Sequence, residues 1–295
     1  MSKRAIGRST VMGRTELSGV RSAKKFYYTA DANQYLLAYQ PSGGTFPKRI
    51  CIFVHGGGWQ NGGPGMSPSE APWGLLAKDI MIFSLHHRNP ASWVWPKQIN
   101  DISSAVRWVK ANASKFGADK AKVCLWGYSS GSHLSVLAAL SQGQAALIDG
   151  SMGNISESQN VQLCVGWATP QSFPLNDADL ITNGFAARTC FTTSAEAELL
   201  GGIGTGINPC SGGGIPLSTE ANPSTYVALK TTKFRIEHGS LDNIIAWQRG
   251  KALHDSLVAA GNDSTWVQHA ALTHVTLYSD ATVKTNTINW IDANL

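Results

Sequence analysis

Lys122-Val123-Cys124-Leu125-Trp126-Gly127-Tyr128-Ser129-Ser130-Gly131-Ser132-His133-Leu134-Ser135-Val136-Leu137-Ala138-Ala139-Leu140 is the stretch on which the reading of this chain turns. Lys122 to Trp126 is a short apolar run of strand length, ended by glycine. Gly127-x-Ser129-x-Gly131 then forms a sharp turn, and small and apolar residues from Ser132 to Leu140 predict a helix. A G-x-S-x-G pattern alone is weak in a chain with 30 glycines. Strand, turn and helix together carry more. They lift the Ser129 Oγ to the sheet edge at a helix N-terminus, where a developing anion is favoured. Side chains at 127 and 131 would collide across so tight a turn, which accounts for the two glycines.

Outward from this turn, strand-like and helix-like segments alternate. Gln34–Gln40, Arg49–Val54, Asp79–Leu85, Val161–Ala168, Lys233–Glu237 and Thr265–Gln268 read as strands. Ile99, Ile102, Val106, Val109, Ala113 and Phe116 recur at helical spacing, with Gly117 as the stop. Trp247 to Ala260, closed by Gly261, and Thr282 to Leu295 read as further helices. Continuous apolar strands separated by helices predict an α/β fold with a mostly parallel central sheet and helices on both faces. Ligand chemistry then belongs at the carboxyl ends of the strands. Residues 169–232, before the penultimate strand, hold eight glycines and five prolines. They predict a loop-rich insertion with short helices at most, Ala195–Leu200 foremost.

The 295 residues suit one large domain over residues 26–295. The net charge of +5 is concentrated: residues 1–25 carry seven basic side chains against Glu16 alone, which leaves the remaining 270 residues near −1. The near-neutral body argues against a nucleic-acid partner. The basic arm over 1–25 reads either as a solvated terminus or as a targeting segment. No apolar run reaches membrane-spanning length, so the expectation is a soluble chain, cytoplasmic or exported, with its oligomeric state open. Cys51, Cys124 and Cys164 lie in apolar runs and read as buried. Cys190 and Cys210 lie in the insertion and are free to pair in an exported protein. No C-x-x-C and no zinc spacing occur, and no metal or cofactor is expected.

Serine is inert at neutral pH unless a base takes its proton. Of the eight histidines, His274 lies in the segment after the last strand, where it can reach Ser129; His269 is the second candidate. The base needs an orienting carboxylate. Asp242 follows the strand ending at Glu237 and is the first choice, ahead of Glu237 and Asp255. His55-Gly56-Gly57-Gly58-Trp59 follows an apolar strand upstream of the serine. Consecutive glycines let backbone N–H groups approach a substrate oxygen. No G-K-[ST] or ribose-binding acid accompanies them, which removes a phosphate-binding reading.

These motifs, with Pro96 through Asp101 to Trp108 and His238-Gly239-Ser240-Leu241-Asp242, resemble the HGGG-type α/β-hydrolase esterases, the hormone-sensitive-lipase-like group and its compact feruloyl and acetyl-xylan relatives. The resemblance covers roughly residues 33–280. It implies Ser129 as nucleophile, with Asp242 and His274 as partners and the N–H groups of Gly57, Gly58 and Ser130 as an oxyanion hole. It also implies that Arg88 and Asp101 are scaffold. This chain has Ser130 and Ser132 where relatives often carry Ala and Gly, and no glycine precedes His274.

The expected function is a serine carboxylic-ester hydrolase for small esters, of short acyl or small aromatic type. Alternatives are an arylformamidase-like amide hydrolase and a non-catalytic binding module of the same fold. Trp59, Trp93 and Trp167 are candidates for lining the substrate pocket, with Trp95 beside them. A long amphipathic lid is not expected from so glycine- and proline-rich an insertion, which predicts a preference for short acyl groups.

Overall fold

A computed structural model describes residues 20–228 and 230–295, with side chains described from residue 23. Eight strands form one sheet: β1 (Val20–Tyr27), β2 (Tyr35–Pro41), β3 (Lys48–Val54), β4 (Ile80–Leu85), β5 (Ala118–Tyr128), β6 (Leu163–Trp167), β7 (Lys233–Gly239) and β8 (Ser264–His269). Their order is β1-β2-β4-β3-β5-β6-β7-β8. The pairs from β4 to β8 are parallel, whereas β1–β2 and β2–β4 are antiparallel. β4 and β6 are buried at every position, as strands covered on both faces must be.

The described residues also form eight α-helices: α1 (Lys97–Asn112), α2 (Ser130–Leu140), α3 (Phe173–Thr182), α4 (Ala195–Gly201), α5 (Gly214–Glu220), α6 (Trp247–Ala259), α7 (His274–Ser279) and α8 (Ala281–Asn294). Two apolar cores follow. On one face Ile99, Ile102 and Val106 of α1, Leu134 and Leu137 of α2, and Leu253 and Leu257 of α6 pack on Ile50, Ile52, Leu125 and Phe234. On the other, Leu75 of a 3₁₀ turn, Leu277 of α7 and Val283 and Ile291 of α8 pack on Cys51, Phe53, Trp126 and Val165. No helix among the described residues is long and apolar enough to cross a membrane.

The order of strands decides where a site can lie. After β3 the chain goes to β4 on one side and to β5 on the other. Loops leaving the carboxyl ends of β3 and β5 therefore part in opposite directions and leave a crevice between them. The glycine run follows β3 and the serine turn follows β5, so both motifs flank that crevice.

The expected arm over residues 1–25 needs correction at its end. Residues 20–25 belong to β1, an antiparallel edge strand, and the rest of that expectation, residues 1–19, lies outside the described residues. Lysines at 24 and 25 suit an edge, where charge discourages pairing with another chain. The insertion carries three helices of ten, seven and seven residues, of which only α4 was anticipated. Pro174 and Pro216 do not break them, since Pro174 sits at the start of α3, where no helical N–H is needed, and Pro216 within the first turn of α5. Cys190 and Cys210 form a disulfide inside the insertion. Asp101 of α1 is fully buried and accepts from Arg88 Nη2 at 2.6 Å, Arg88 N at 2.8 Å and Gln34 Nε2 at 2.6 Å. It joins β2, the end of β4 and α1, as a scaffold residue does.

The start of α2 is packed against the end of β3 without slack. A Cβ on Gly131 would lie 2.2 Å from the Val54 carbonyl oxygen and 2.3 Å from that of His55. Gly131→Ala is therefore expected to cost about 2–3 kcal/mol or more. That corresponds to a melting temperature lower by about 5 °C or more for a domain of this size. A thermal denaturation curve superimposable on the wild type would show that the two segments are not in contact.

Candidate active site

The serine turn is strained as well as tight. β5 ends at Tyr128, α2 begins at Ser130, and Ser129 between them has φ 55° and ψ −125°. Such a conformation costs about 1–3 kcal/mol in a non-glycine residue and persists only when its surroundings impose it. They do so here: Ser129 N–H donates to the Trp167 carbonyl at the end of β6 at 2.8 Å, and the Ser129 carbonyl accepts from His133 N at 3.0 Å. A Cβ on Gly127 would lie 2.2 Å from the Gly131 carbonyl oxygen, so the turn closes only over glycine.

His274 Nε2 lies 3.0 Å from Ser129 Oγ, and His274 Nδ1 lies 2.7 Å from Asp242 Oδ2. The three residues are 9%, 6% and 0% exposed in the order Ser129, His274, Asp242, so the chain of bonds is largely shielded from water. His274 is the first residue of α7, whose start is fixed by a reciprocal pair of hydrogen bonds between Thr273 and Thr276. Tyr128 holds it from the other side, donating from its hydroxyl to the His274 carbonyl at 2.9 Å.

Asp242 is oriented by four donors. Its Oδ1 accepts from Ile244 N and Ile245 N, both at 2.9 Å. Its Oδ2 accepts from His274 and, at 3.2 Å, from His238 Nε2. His238 Nε2 also lies 3.0 Å from the Ile245 carbonyl, which can only accept, so this nitrogen carries the proton. Burial alone would raise the Asp242 carboxyl, but the two histidine bonds outweigh it and hold the group below the ordinary carboxylate range.

The glycine run lies across the crevice. Gly57 and Gly58 have φ 126° and 60°, and a Cβ on Gly57 would lie 2.2 Å from the Asn61 carbonyl oxygen. Their N–H groups and that of Ser130 make no hydrogen bond to another described residue. The run is pinned by Trp59, which is itself left-handed at φ 63°. Trp59 Nε1 donates to His133 Nδ1 at 3.3 Å, and His133 Nε2 donates to the Ala221 carbonyl at 2.7 Å. Burial pulls His133 down to about 4, so it stays neutral and can accept from the indole. His55 Nδ1 lies 2.8 Å from the Gly56 carbonyl, closing the start of the loop.

These groups line a cavity of about 390 Å³, with Gly57, Gly58, Trp59, Tyr128, Ser129, Ser130 and His274 in its wall. The insertion supplies Pro170, Arg188, Ala195 and Glu196, and the acid loop supplies Ile244 and Ile245. Two of the three tryptophan expectations are corrected. Trp167 is fully buried, packs edge-on to Trp126 and donates to Glu237, so it serves the core. Trp93 lies outside the cavity wall, beside the Arg88 guanidinium. Trp59 does reach the wall, at 2% exposure. Trp95, also buried, donates to Glu220.

The alternative base and acids are engaged elsewhere. His269 Nε2 lies 2.7 Å from Glu237 Oε2, and Glu237 also receives Arg235, Trp167 and Thr287. Asp255 pairs with Lys251 on the surface of α6. Sequence reasoning gave no role to Tyr128, His238, Arg188 or Glu196. Tyr128 stood in the quoted turn, and His238 lies four residues before Asp242, the one spacing that could have drawn attention.

Sheet order, serine turn and crevice together define an α/β-hydrolase. Within that class the chain belongs to the BD-FAE family, whose profile matches residues 36–257. It is 36% identical over 111 residues to esterase LipC of Mycobacterium tuberculosis (strain ATCC 25618 / H37Rv), covering 36% of this chain and 28% of that protein. It is 23% identical over 247 residues to the probable isoprenylcysteine alpha-carbonyl methylesterase ICMEL1 of Arabidopsis thaliana, covering 81% of this chain and 48% of that one. The chain thus spans less than half the length of these curated relatives. A truncated carbohydrate esterase from gut microbiota superposes with a TM-score of 0.81 at 23% identity, over 94% of this chain and 96% of that one. Esterase 2 of Thermogutta terrifontis superposes with a TM-score of 0.70 at 18% identity, over 92% and 90%.

Two predictions follow from the geometry. A fluorophosphonate probe should label the wild type, and Ser129→Ala and His274→Ala should each lower the labelling rate by about a thousandfold or more. Ser130→Ala should label within about tenfold of wild type, because its hydroxyl is buried and makes no hydrogen bond with a described residue. Labelling lost in Ser130→Ala and kept in Ser129→Ala would move the nucleophile by one residue.

The second prediction concerns Glu196, which is 7% exposed and pushed up to about 7 by burial. Its own backbone N–H, Arg188 and Ser194 favour the charge and Asp177 opposes it, but burial prevails. The unfolded chain releases this proton in the ordinary carboxylate range and the folded chain only near 7. Stability is therefore lost as pH rises through that window, by up to about 3 kcal/mol. Glu196→Gln cannot ionise. Its melting temperature relative to wild type should rise by about 5 °C more at pH 8 than at pH 5. An equal offset at both values would mean that Glu196 ionises without penalty.

Proposed function

We propose that the protein is a serine carboxylic-ester hydrolase, with residues 20–295 as its catalytic domain and residues 169–232 as the cover of its substrate cavity. The observation that carries this is the unbroken hydrogen-bond chain from Ser129 through His274 to Asp242, across the cavity from three backbone N–H groups that bond no other described residue. Membership of the BD-FAE family and the esterase names of the curated relatives support the same reading.

In this mechanism Ser129 Oγ attacks the ester carbonyl while His274 Nε2 takes its proton. Asp242 accepts from Nδ1, which fixes the tautomer that leaves Nε2 free to act as base, and it stabilises the imidazolium that forms. The tetrahedral oxyanion rests on the N–H groups of Gly57, Gly58 and Ser130, already oriented before substrate arrives. Nε2 then protonates the leaving alcohol. Water, deprotonated by the same imidazole, attacks the acyl-enzyme and releases Ser129.

The cavity bounds the acyl group. At about 390 Å³ it is small for a ligand site, and the insertion closes one side with α4. Ala195 stands over Gly58, with 3.4 Å between its Cβ and an ideal Cβ on the glycine, and Gln60 beside the glycine run bonds Glu198. The helices of the insertion span ten residues at most, short of a lid that could cover a long chain. Methylenes beyond the cavity stay in water and miss the roughly 0.8 kcal/mol each that burial would provide.

The test is kcat/KM for 4-nitrophenyl acetate, butyrate, octanoate and palmitate in identical detergent. The expected maximum lies at about two to four acyl carbons. The expected loss of kcat is about 10⁴-fold or more in Ser129→Ala, with Asp242→Asn equal or smaller. Turnover of N-formylkynurenine far above that of phenyl acetate would favour the amide hydrolase. Folded protein inert toward all of these and toward the fluorophosphonate would favour a binding module. A maximum at octanoate or beyond would mean that residues 169–232 bury a long chain after all.

A further inference from the structure

Arg188 differs from every other arginine whose side chain is described. Arg49 reaches Asp292, Arg88 reaches Asp101, and Arg107 reaches the Asp149 and Gly153 carbonyls. Arg235 reaches Glu237, and Arg249 reaches Asp179. The Arg188 guanidinium meets no acceptor among the described residues; only its backbone N–H is bonded. This exposed side chain is also, among the described residues, the one arginine in the wall of the cavity that holds Ser129 and His274.

Its backbone is held by an elaborate clamp. Asp177, a buried residue of α3, spends both carboxylate oxygens on three consecutive N–H groups: Arg188 at 2.6 Å, Thr189 at 2.8 Å and Cys190 at 2.8 Å. Cys190 is then bridged to Cys210. Asn176 donates to Thr189 Oγ1 at 2.9 Å and to the Ile244 carbonyl at 3.1 Å, and accepts from Ala246 N at 2.9 Å. The same asparagine therefore ties residues 188–190 to the loop that carries Asp242. The backbone that carries this cation is thus tied to the loop of Asp242, while the guanidinium itself is left unbonded by any described residue.

We propose that Arg188 is a specificity determinant that pairs with a carboxylate, or an equivalent anionic group, on the ester substrate. This rests on the ester-hydrolase reading above. A guanidinium is charged at every working pH, and its planar fork matches a carboxylate with two parallel N–H donors. Glu196 is the only carboxyl among the described residues in the cavity wall. Burial keeps it protonated up to about 7, so below that pH it leaves the cation to the substrate. The anion can sit on the acyl group, as in a half-ester of a dicarboxylic acid, or on the leaving alcohol, as in an ester of a hydroxy acid.

The experiment compares two matched pairs on the full chain at pH 6.5. Mono-4-nitrophenyl adipate against 4-nitrophenyl hexanoate reads an acyl-side anion. 4-Acetoxybenzoate against 4-acetoxybenzamide reads an alcohol-side anion. The quantity is the ratio of kcat/KM, anionic over neutral. In at least one pair Arg188→Gln should lower that ratio by about five- to tenfold, chiefly through KM. Arg188→Lys, which keeps the charge and loses the fork, should retain part of it, and about 0.5 M salt should erode the wild-type ratio. The pair that responds identifies the side on which the anion lies. An unchanged ratio in both pairs, with the neutral esters still cleaved, would overturn the role of Arg188 alone. No wild-type turnover of any of the four esters would sink the hydrolase reading, and this proposal with it.

Discussion

The closeness of two backbone segments governs the rest of this molecule. The first turn of α2 lies so near the end of β3 that Gly131 has the Val54 and His55 carbonyl oxygens where a Cβ would be. That contact sets the glycine run and the serine turn on opposite lips of one crevice. It also presses Ser129 into a conformation that a free chain would leave. The strain is borne by the sheet, because the Ser129 N–H is taken by β6 and its carbonyl by α2. The Ser129 backbone is thus fixed at both its N–H and its carbonyl before any ligand arrives.

Two buried carboxylates five residues apart show how surroundings divide the work. Glu237 and Asp242 each meet a histidine at 2.7 Å. Glu237 also receives the Arg235 guanidinium, Thr287 and the Trp167 indole, so its charge is neutralised in place and its histidine is part of a closed network at the sheet edge. Asp242 receives only N–H groups of its own loop and a second histidine. Its charge remains available to His274, whose other nitrogen points at Ser129. His238 thus belongs to the same electrostatic unit. It steadies the carboxylate without contact with the serine.

The parallel strands could be read from the chain because a sheet covered on both faces must be continuously apolar. β4 and β6 carry that mark along their length, and β3 and β5 in the runs Ile50–Val54 and Val123–Trp126. The triad could be read because strand, serine turn and helix are local, and because the acid and base follow the last two strands in order. β1 escaped, since an edge strand with lysines at 24 and 25 looks like solvated chain until its partner is known. α3 and α5 escaped because their prolines, fatal in a helix interior, sit in the first turn. The cavity wall was the least legible part. Arg188 and Glu196 come from loops and short helices with no period, brought to Ser129 by Asp177, Asn176 and a disulfide rather than by any repeat.

That contrast has a physical basis. Periodic segments report their own burial, so a sequence declares its sheet and its core helices. A segment rich in glycine and proline is ordered by a few polar bonds between residues far apart, and each such bond depends on a partner that the local sequence does not name. Asp177 is an ordinary helical acid until residues 188–190 fold over it. Arg188 is an ordinary surface cation until that loop is tied to the Asp242 loop. The hydrogen-bond chain from Ser129 to Asp242 is therefore carried by segments that follow the regular strands. The rest of the cavity wall is carried by the irregular part, where one aspartate and one asparagine hold residues 188–190 in place.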